Sequence, residues 1–423
     1  MKSSLRVIEI CAGAGGQSLG LEQAGFQHEL AIELDETAAA TLKLNRPNWK
    51  VAIGDVADKS VWDPAEYAPD KLPYRIDLFA GGVPCPPFSV AGKQLGSNDE
   101  RDLFAWAVEQ VGVLRPRAVL LENVRGLSLP RFAGYRQHVL DRFEELGYRA
   151  EWRLINSSEY GIPQLRPRFV LIAMEPNEFQ AFHWPEPSNK RVTVGQALKK
   201  LMSANGWEGA SEWAKKANGI GPTIVGGSKK HGGADLGPTR AKNAWAALGV
   251  NGKGIADSAP LPGEEFEVGP KLTLDMVAKI QGWGGRGFTW KFAGKKTSTY
   301  RQIGNAFPPP VAKALGLAIA GALNGTAALR DQPLDLHIAD PVYKVLKNSD
   351  SFLTAKQIIE NMNADLSVNE LKQHLIFLEN DFEIERSRIG NQLTYKIGNF
   401  KAFVGQLEHS RHAYFEDSIN KVS

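Results

Sequence analysis

The chain has 423 residues, a formal net charge of +3 and 43% hydrophobic residues. That is too long for one compact domain and apolar enough for a sizeable core, so two or three domains are expected. Two cysteines exclude a disulfide framework, and no Cys/His cluster has metal-ligand spacing, which together point to a reducing cytoplasm and no metal. Met1-Lys2-Ser3-Ser4 passes straight into an apolar strand, leaving no room for a signal peptide. No run approaches the roughly 20 apolar residues of a membrane span.

Arg6-Val7-Ile8-Glu9-Ile10 predicts a short strand that runs into Cys11-Ala12-Gly13-Ala14-Gly15-Gly16 and a helix through Gln23. A glycine-rich turn between a first strand and helix lets a nucleotide-bearing ligand approach the backbone. Gly13 and Gly15 fit the first two positions of the dinucleotide fingerprint, but the third falls on Ser18, which disfavours a nicotinamide oxidoreductase. The next apolar runs end in acids. Leu30-Ala31-Ile32 leads to Glu33, whose carboxylate can accept both hydroxyls of a ribose, and Val51-Ala52-Ile53-Gly54 leads to Asp55, suited to an adenine amino group.

Ile76-Asp77-Leu78-Phe79-Ala80 reads as a buried strand, ended abruptly by Gly82-Val83-Pro84-Cys85-Pro86-Pro87-Phe88-Ser89. A cysteine just past a strand's carboxyl end sits where α/β sheets do chemistry, and the flanking prolines fix the direction of its thiol. Ala118-Val119-Leu120-Leu121-Glu122-Asn123-Val124 is a further strand with a glutamate on the same rim. Tyr160 to Arg168 follows, ahead of the strand Phe169-Val170-Leu171-Ile172-Ala173. Its Arg166 and Arg168 alternate in an extended segment and so point the same way.

Between Ser188 and Pro262, eleven Lys/Arg against four Asp/Glu give a charge of +7. The segment is glycine-rich, with little periodicity, three lysine pairs (Lys199-Lys200, Lys215-Lys216, Lys229-Lys230) and interspersed Trp207, Trp213 and Trp245. Basic, loop-rich and aromatic is the pattern of a nucleic-acid-reading module. Beyond about Gly325 the chain reads as a separate unit. Helices are expected over Asp340 to Lys347, Thr354 to Met362 and Ser367 to Leu378, then a hairpin of Phe382–Arg386 and Gln392–Ile397 across Gly390-Asn391. That is the winged-helix order. From Asp335 to Phe400, however, ten Asp/Glu and seven Lys/Arg give −3, and the last helix offers only Lys372 and His374 against Glu370. Phosphate binding needs more positive charge, so a docking or protein-contact role is expected. Leu371, Leu375 and Leu378 have the spacing of a core face.

Together, and in this order, these elements resemble the cytosine-C5 DNA methyltransferase family. The Gly-Ala-Gly-Gly loop is similar to its cofactor motif, Pro84-Cys85 to its nucleophile motif, Glu122-Asn123-Val124 to its Glu-Asn-Val motif and Gln164-x-Arg166-x-Arg168 to its paired-arginine motif. Leu272-Thr273 through Gln281-Gly282, and Gln302 through Val311, resemble its last two blocks. Two departures stand out. Cys11 occupies a place where the family often has Phe, and Asp275-Met276-Val277-Ala278-Lys279 replaces a common Arg-Glu-x-Ala-Arg. Neither touches the chemical groups.

The resemblance implies an α/β fold. A Rossmann-like mixed-sheet methyltransferase domain would span residues 1–185, a loop-rich target-recognition region 186–270 and a return segment 271–328. A winged-helix-like α+β domain at 335–423 lies outside it. It implies S-adenosylmethionine as cofactor, held by Cys11, Gly13, Gly15, Gly16, Glu33, Asp55 and Asn305. Cys85 would add to C6 of cytosine, making C5 nucleophilic, while Glu122 binds N3 and Arg168, helped by Arg166, holds O2. The base must leave the double-stranded DNA to reach them. Ser89, Lys93, Lys229 and Lys230 are suited to backbone phosphate. Further partners compatible with this reading are a cognate restriction endonuclease, and a protein or second copy docked through the C-terminal domain. Two rivals carry less. A tRNA methyltransferase of the same family needs no basic reader of this length, and a non-catalytic DNA-binding regulator would not keep Cys85, Glu122, Arg166 and Arg168.

Overall fold

The computed structural model describes residues 4–83, 101–188, 191–226, 233–330, 340–362, 366–390 and 392–401. The chain opens with β1 (Leu5–Ile10), α1 (Gly16–Gln23), β2 (Phe26–Glu33), α2 (Glu36–Asn45) and β3 (Val51–Ile53). β4 (Leu78–Gly81), α3 (Arg101–Leu114), β5 (Ala118–Val124), α4 (Ala133–Glu145) and β6 (Arg149–Asn156) follow. The two-residue β7 (Gln164–Leu165) leads into β8 (Pro167–Met174) and α5 (Pro176–Ala181).

Seven of these strands form one sheet in the order β3-β2-β1-β4-β5-β8-β6. β3, β2, β1, β4 and β5 pair in parallel, and β8 runs antiparallel between β5 and β6. The order reverses between β1 and β4, and ligands of open α/β sheets bind at such a switch point, beyond the strands' carboxyl ends. Side chains alternate across the sheet with the two-residue period of a strand. Ile8, Ile10, Ile32, Phe79, Val119 and Leu121 face one layer, with Val108 and Val111 of α3 and Val139 and Phe143 of α4. Val7, Leu78, Ala80, Leu120 and Ile172 face the other, where Leu21 of α1 meets Val311, Leu315 and Ile319.

Those last three belong to a segment that returns to the sheet from far along the chain. α6 (Val194–Met202), α7 (Ala210–Lys216), β9 (Gly221–Pro222) and α8 (Thr239–Ala247) come first, then α9 (Leu274–Ile280), α10 (Lys296–Asn305) and α11 (Pro309–Leu323). The basic segment is therefore more helical than its composition suggested. α6 is fixed by a capping box in which Thr193 and Gln196 each accept the other's backbone N–H. Its tryptophans are also not free readers. Trp245 is fully buried, Trp213 nearly so, and Trp207 packs edge-on against Phe266. Lys199, Lys200, Lys215 and Lys216 are exposed, whereas Lys229 and Lys230 lie outside the described residues. Lys296–Leu323 has the length and apolarity of a membrane span, but most of its most apolar stretch is buried as a core element.

α1 and α11 approach so closely that side chains are excluded between them. A Cβ on Gly16 would lie 2.2 Å from the Phe307 carbonyl oxygen, and one on Gly20 would lie 2.5 Å from that of Pro309.

The C-terminal unit comprises α12 (Pro341–Lys347), β10 (Leu353–Thr354), α13 (Ala355–Asn361), α14 (Val368–Asp381), β11 (Phe382–Ile389) and β12 (Gln392–Phe400). Asp340, Thr354 and Ser367 cap its three helices, and Leu371, Leu375 and Leu378 are in its core. The sheet, ordered β10-β12-β11, gains a short strand that the sequence did not announce. Nor is the unit detached. It docks on α4, where a Cβ on Gly134 would come within 2.3 Å of Leu378 Cδ2. The His138 ring packs over Phe400 at 4.0 Å and edge-on to Phe382 at 5.5 Å. Tyr343 Oη donates to Asp141 at 2.9 Å.

Two predictions follow from this packing. Gly16→Ala should lower the urea midpoint by an amount equivalent to about 2–3 kcal/mol at constant m, because a backbone carbonyl must move. The second concerns pH. Burial, aided by Lys347, pushes His138 down to about 4, against the pull of Asp141, Glu145 and Glu109. The unfolded imidazole takes up a proton near pH 6.5 while the folded one resists, so docking should weaken as pH falls from about 6.5 toward 4. At pH 4.5 the cost is on the order of 2 kcal/mol. His138→Phe should abolish that part of the pH dependence in thermal unfolding.

Candidate active site

A cavity of ≈ 400 Å³ opens at the switch point, lined from β1, β2, β4, β5, the glycine loop and α10. The glycine loop forms its floor. Cys11 is held at φ +50°, Gly13 at +56° and Gly15 at +88°, the left-handed region that glycine enters without strain. Cys11 tolerates it only because the strand and loop fix both its neighbours. Trp290 backs the loop from behind, its indole Nε1 donating to the Ala14 carbonyl at 2.8 Å. A Cβ on Gly15 would meet that ring at 2.7 Å.

At one end Glu33 turns back to the loop. Its two oxygens accept the backbone N–H groups of Gly13 (2.7 Å) and Asp35 (2.8 Å). Burial raises its pKa, and these two hydrogen bonds oppose the rise. Each oxygen keeps a lone pair for a hydroxyl. Asp55, one strand further on, lines the same end and accepts from Ala57 N at 2.9 Å. Two carboxylates facing a glycine loop fit an adenosine-bearing ligand. So does Gln17, whose buried carboxamide lines the cavity with neither Oε1 nor Nε2 hydrogen-bonded. Asn305 lines the cavity from the end of α10, beside Arg301 and Ser298, which local sequence gave no reason to choose. Beneath lies a further unexpected pair, His28 and Glu9, whose Nε2 and Oε2 are 2.8 Å apart with both side chains fully buried.

The other end is charged differently. Glu122, at the rim of β5, meets Arg168 of β8, with Nε to Oε1 at 2.5 Å and both side chains about nine-tenths buried. Register explains the meeting, because antiparallel pairing sets Val124 opposite Arg168. Burial pushes the guanidinium pKa down and the Glu122 carboxylate counters it. Asn123 Nδ2 donates to the Val83 carbonyl at 3.4 Å, tying β5 to the exit of β4.

Arg166 does something else. Its Nη1 donates to Ile224 O (2.7 Å), and its Nη2 to Gly304 O (2.8 Å) and Ala306 O (3.0 Å). With its terminal nitrogens on backbone carbonyls, it positions segments and is not free to hold a base oxygen. The expectation of two arginines acting together is corrected accordingly. Gln164 extends the clamp, donating to Gln281 Oε1 and accepting from Ile224 N, while Gln281 donates to Ile303 O and Ala306 O. The structure thus gathers Cys11, Gly13, Gly16, Glu33, Asp55, Glu122 and Asn305 around one cavity, with Gly15 behind its wall and Arg168 behind Glu122. Cys85, Ser89 and Lys93 lie outside the described residues, in the segment that begins two residues after Gly82.

Comparison with known proteins gives the family and the fold. Residues 5–321 match the family model of the C-5 cytosine-specific DNA methylases. The chain is 58% identical to the Type II methyltransferase M.NaeI of Lentzea aerocolonigenes, over 99% of this chain and all of that one. It is 47% identical to M.NgoMIV of Neisseria gonorrhoeae, over 75% of this chain and 97% of that protein. A crystal structure of Spodoptera frugiperda DNMT2 shares the fold, with a TM-score of 0.52 and 17% identity over 75% of this chain and all of that one. With its family model spanning the sheet, the return segment and everything between, the chain belongs to the C-5 cytosine-specific DNA methylases.

Proposed function

We propose that this enzyme methylates C5 of a cytosine flipped out of double-stranded DNA, with S-adenosylmethionine bound in the switch-point cavity. The observation that carries the reading is the cavity's two-ended chemistry. Glu33 and Asp55 face the glycine loop at one end, and the Glu122–Arg168 pair stands at the other. S-adenosylmethionine supplies a methyl group activated by its positive sulfur. Glu33 would hold the ribose hydroxyls, Asp55 the adenine amino group, and the glycine loop with Asn305 the remainder.

On the substrate side, Cys85 as thiolate would add to C6 of the pyrimidine, shifting electron density to C5. Glu122 would donate a hydrogen bond or proton at N3 as that density builds, and Arg168 keeps its carboxyl group oriented while compensating charge near O2. Loss of the C5 proton to water, with return of any N3 proton to Glu122, would expel Cys85 as thiolate and restore the ring. None of these groups reaches a stacked base, so flipping is required.

The names of M.NaeI and M.NgoMIV support a further proposal, that the enzyme is the modification half of a restriction–modification pair. The exposed lysines of α6 and α7 suit backbone phosphate in the recognition region, and a solution reader of DNA fits a cytoplasmic, nucleoid-associated enzyme. Bisulfite sequencing of DNA from cells expressing the chain should show methylated cytosines confined to one short sequence, and its absence would refute the reading.

Cys85→Ser should abolish transfer while leaving DNA and cofactor binding nearly intact, because an alkoxide forms far less readily than a thiolate. The native enzyme should form a covalent adduct with duplex DNA carrying 5-fluorocytosine, seen as a denaturation-resistant band. Glu33→Ala removes two charge-assisted bonds to ribose and also unpins Gly13, so S-adenosylmethionine affinity should fall at least about tenfold by calorimetry.

A further inference from the structure

We propose that Arg136 is a positioning residue for methyl transfer, which fixes the loop that follows Glu122, and that the C-terminal unit holds it there through Asp340. The inference rests on Glu122 acting at the flipped base. Past β5 the chain makes two short 3₁₀ turns, Arg125–Ser128 and Pro130–Phe132, before α4 begins, and neither has a side-chain cap at its start. Arg136, one turn into α4, supplies a tie from elsewhere. Its Nη1 donates to the carbonyls of Leu127 and Leu129, both at 2.8 Å, and so joins the first turn to the entry of the second. The guanidinium carbon also lies 5.8 Å from the ring centre of Phe169, which follows Arg168 in β8 and pairs with Asn123 of β5. One buried side chain therefore links the loop leaving β5 to β8, the two strands that carry the Glu122–Arg168 pair.

The C-terminal unit supplies the other half of the arrangement. Burial strips the guanidinium of water and pushes its pKa down to about 10, and the negative charge of Asp340 opposes that fall. Asp340 is itself buried and fixed from within its own unit. Its Oδ1 accepts from the backbone N–H groups of Val342 and Tyr343 at 2.9 and 3.0 Å, and its Oδ2 meets His374 Nδ1 at 2.8 Å. Leu378 against Gly134, and Phe400 against Tyr135 (5.6 Å between ring centres) and His138, cover the same stretch of α4. Without the Asp340 carboxylate a buried cation is left unbalanced, and its exit to water would release both loop carbonyls. Only Asn123 and Val124 separate that loop from Glu122. A loosened loop would misaim the Glu122 carboxyl group, and small misplacements of an acting group are costly in rate.

The test is single-turnover methyl transfer by the full-length enzyme to genomic DNA from cells that lack it, at a temperature where circular dichroism shows each variant folded. Arg136→Met keeps the bulk and removes the bonds. It should slow transfer about tenfold or more, while the dissociation constants for S-adenosylmethionine and DNA stay within about twofold of native. Arg136→Lys keeps the charge and should bring the rate back to within about threefold of native. Asp340→Asn keeps the helix cap and removes the charge, and should slow transfer about threefold or more. Combined with Arg136→Met it should cost nothing further, because both act through one loop. A purely structural role would lower the melting temperature and leave these rates alone. Native rates in the folded variants, or additive losses in the double variant, would therefore overturn the inference. If Arg136→Met does not fold, the rate of Asp340→Asn decides alone. Glu122→Gln is the reference. A native rate there would refute the role given to Glu122, whereas a slow Glu122→Gln beside a native-rate Arg136→Met would overturn this inference only.

Discussion

Arg166 lends three N–H bonds to carbonyls at Ile224, Gly304 and Ala306, positions that lie 58, 138 and 140 residues along the chain. Its guanidinium is almost wholly buried, so these bonds are made where water cannot replace them. Around it, Gln164 and Gln281 complete a polar network that locks four stretches of sequence into one body. The consequence for chemistry is indirect but large. α10, which carries Asn305 to the cavity, ends on the very carbonyls that Arg166 holds. Without that clamp the glycine loop, Glu33 and Asp55 would face an open groove. Removing one member would leave several buried groups unpaired at once, a costlier loss than that of any one bond.

The reversed strand β8 matters for the same reason. The parallel strands bring their carboxyl ends to the reactive rim, and an antiparallel neighbour brings its amino end there instead. Arg168 therefore reaches Glu122 from the start of its strand, and Arg166 stands just outside the sheet where it can turn to the return segment. One short stretch of chain thus serves both the reacting rim and the scaffold.

What was legible in the sequence was local. The glycine loop, Glu33 and Asp55 follow from strand ends and the turns beside them, and the three C-terminal helices start where they were expected, with Asp340, Thr354 and Ser367 as their caps. What escaped depended on distance. Arg166 looked like a partner of Arg168 because alternation in a strand is a local rule, whereas its carbonyl partners are set by the fold. Trp290 against Ala14, and Phe400 over His138, join residues more than 250 positions apart, with no motif at either end. The buried Trp213 and Trp245 looked like a nucleic-acid reader because composition does not reveal which way a ring faces. The family model ends at residue 321, so the unit docked on α4 lies outside the segment that defines the family.

The tight seam between α1 and α11 has a consequence for how the protein is made. The ribosome releases Gly16 and Gly20 early, but the segment that covers them, beginning near Phe307, emerges roughly 290 residues later. At synthesis rates of about 5–20 residues per second, the nascent α1 waits on the order of 15–60 seconds with its apolar side bare. Helix α11, apolar along most of its length, is the last helix added to the main sheet's layers and packs there against a helix laid down near the start. The order of synthesis therefore leaves this layer of the sheet uncovered until α11 emerges, and the main domain can close only once its late helix meets its early one.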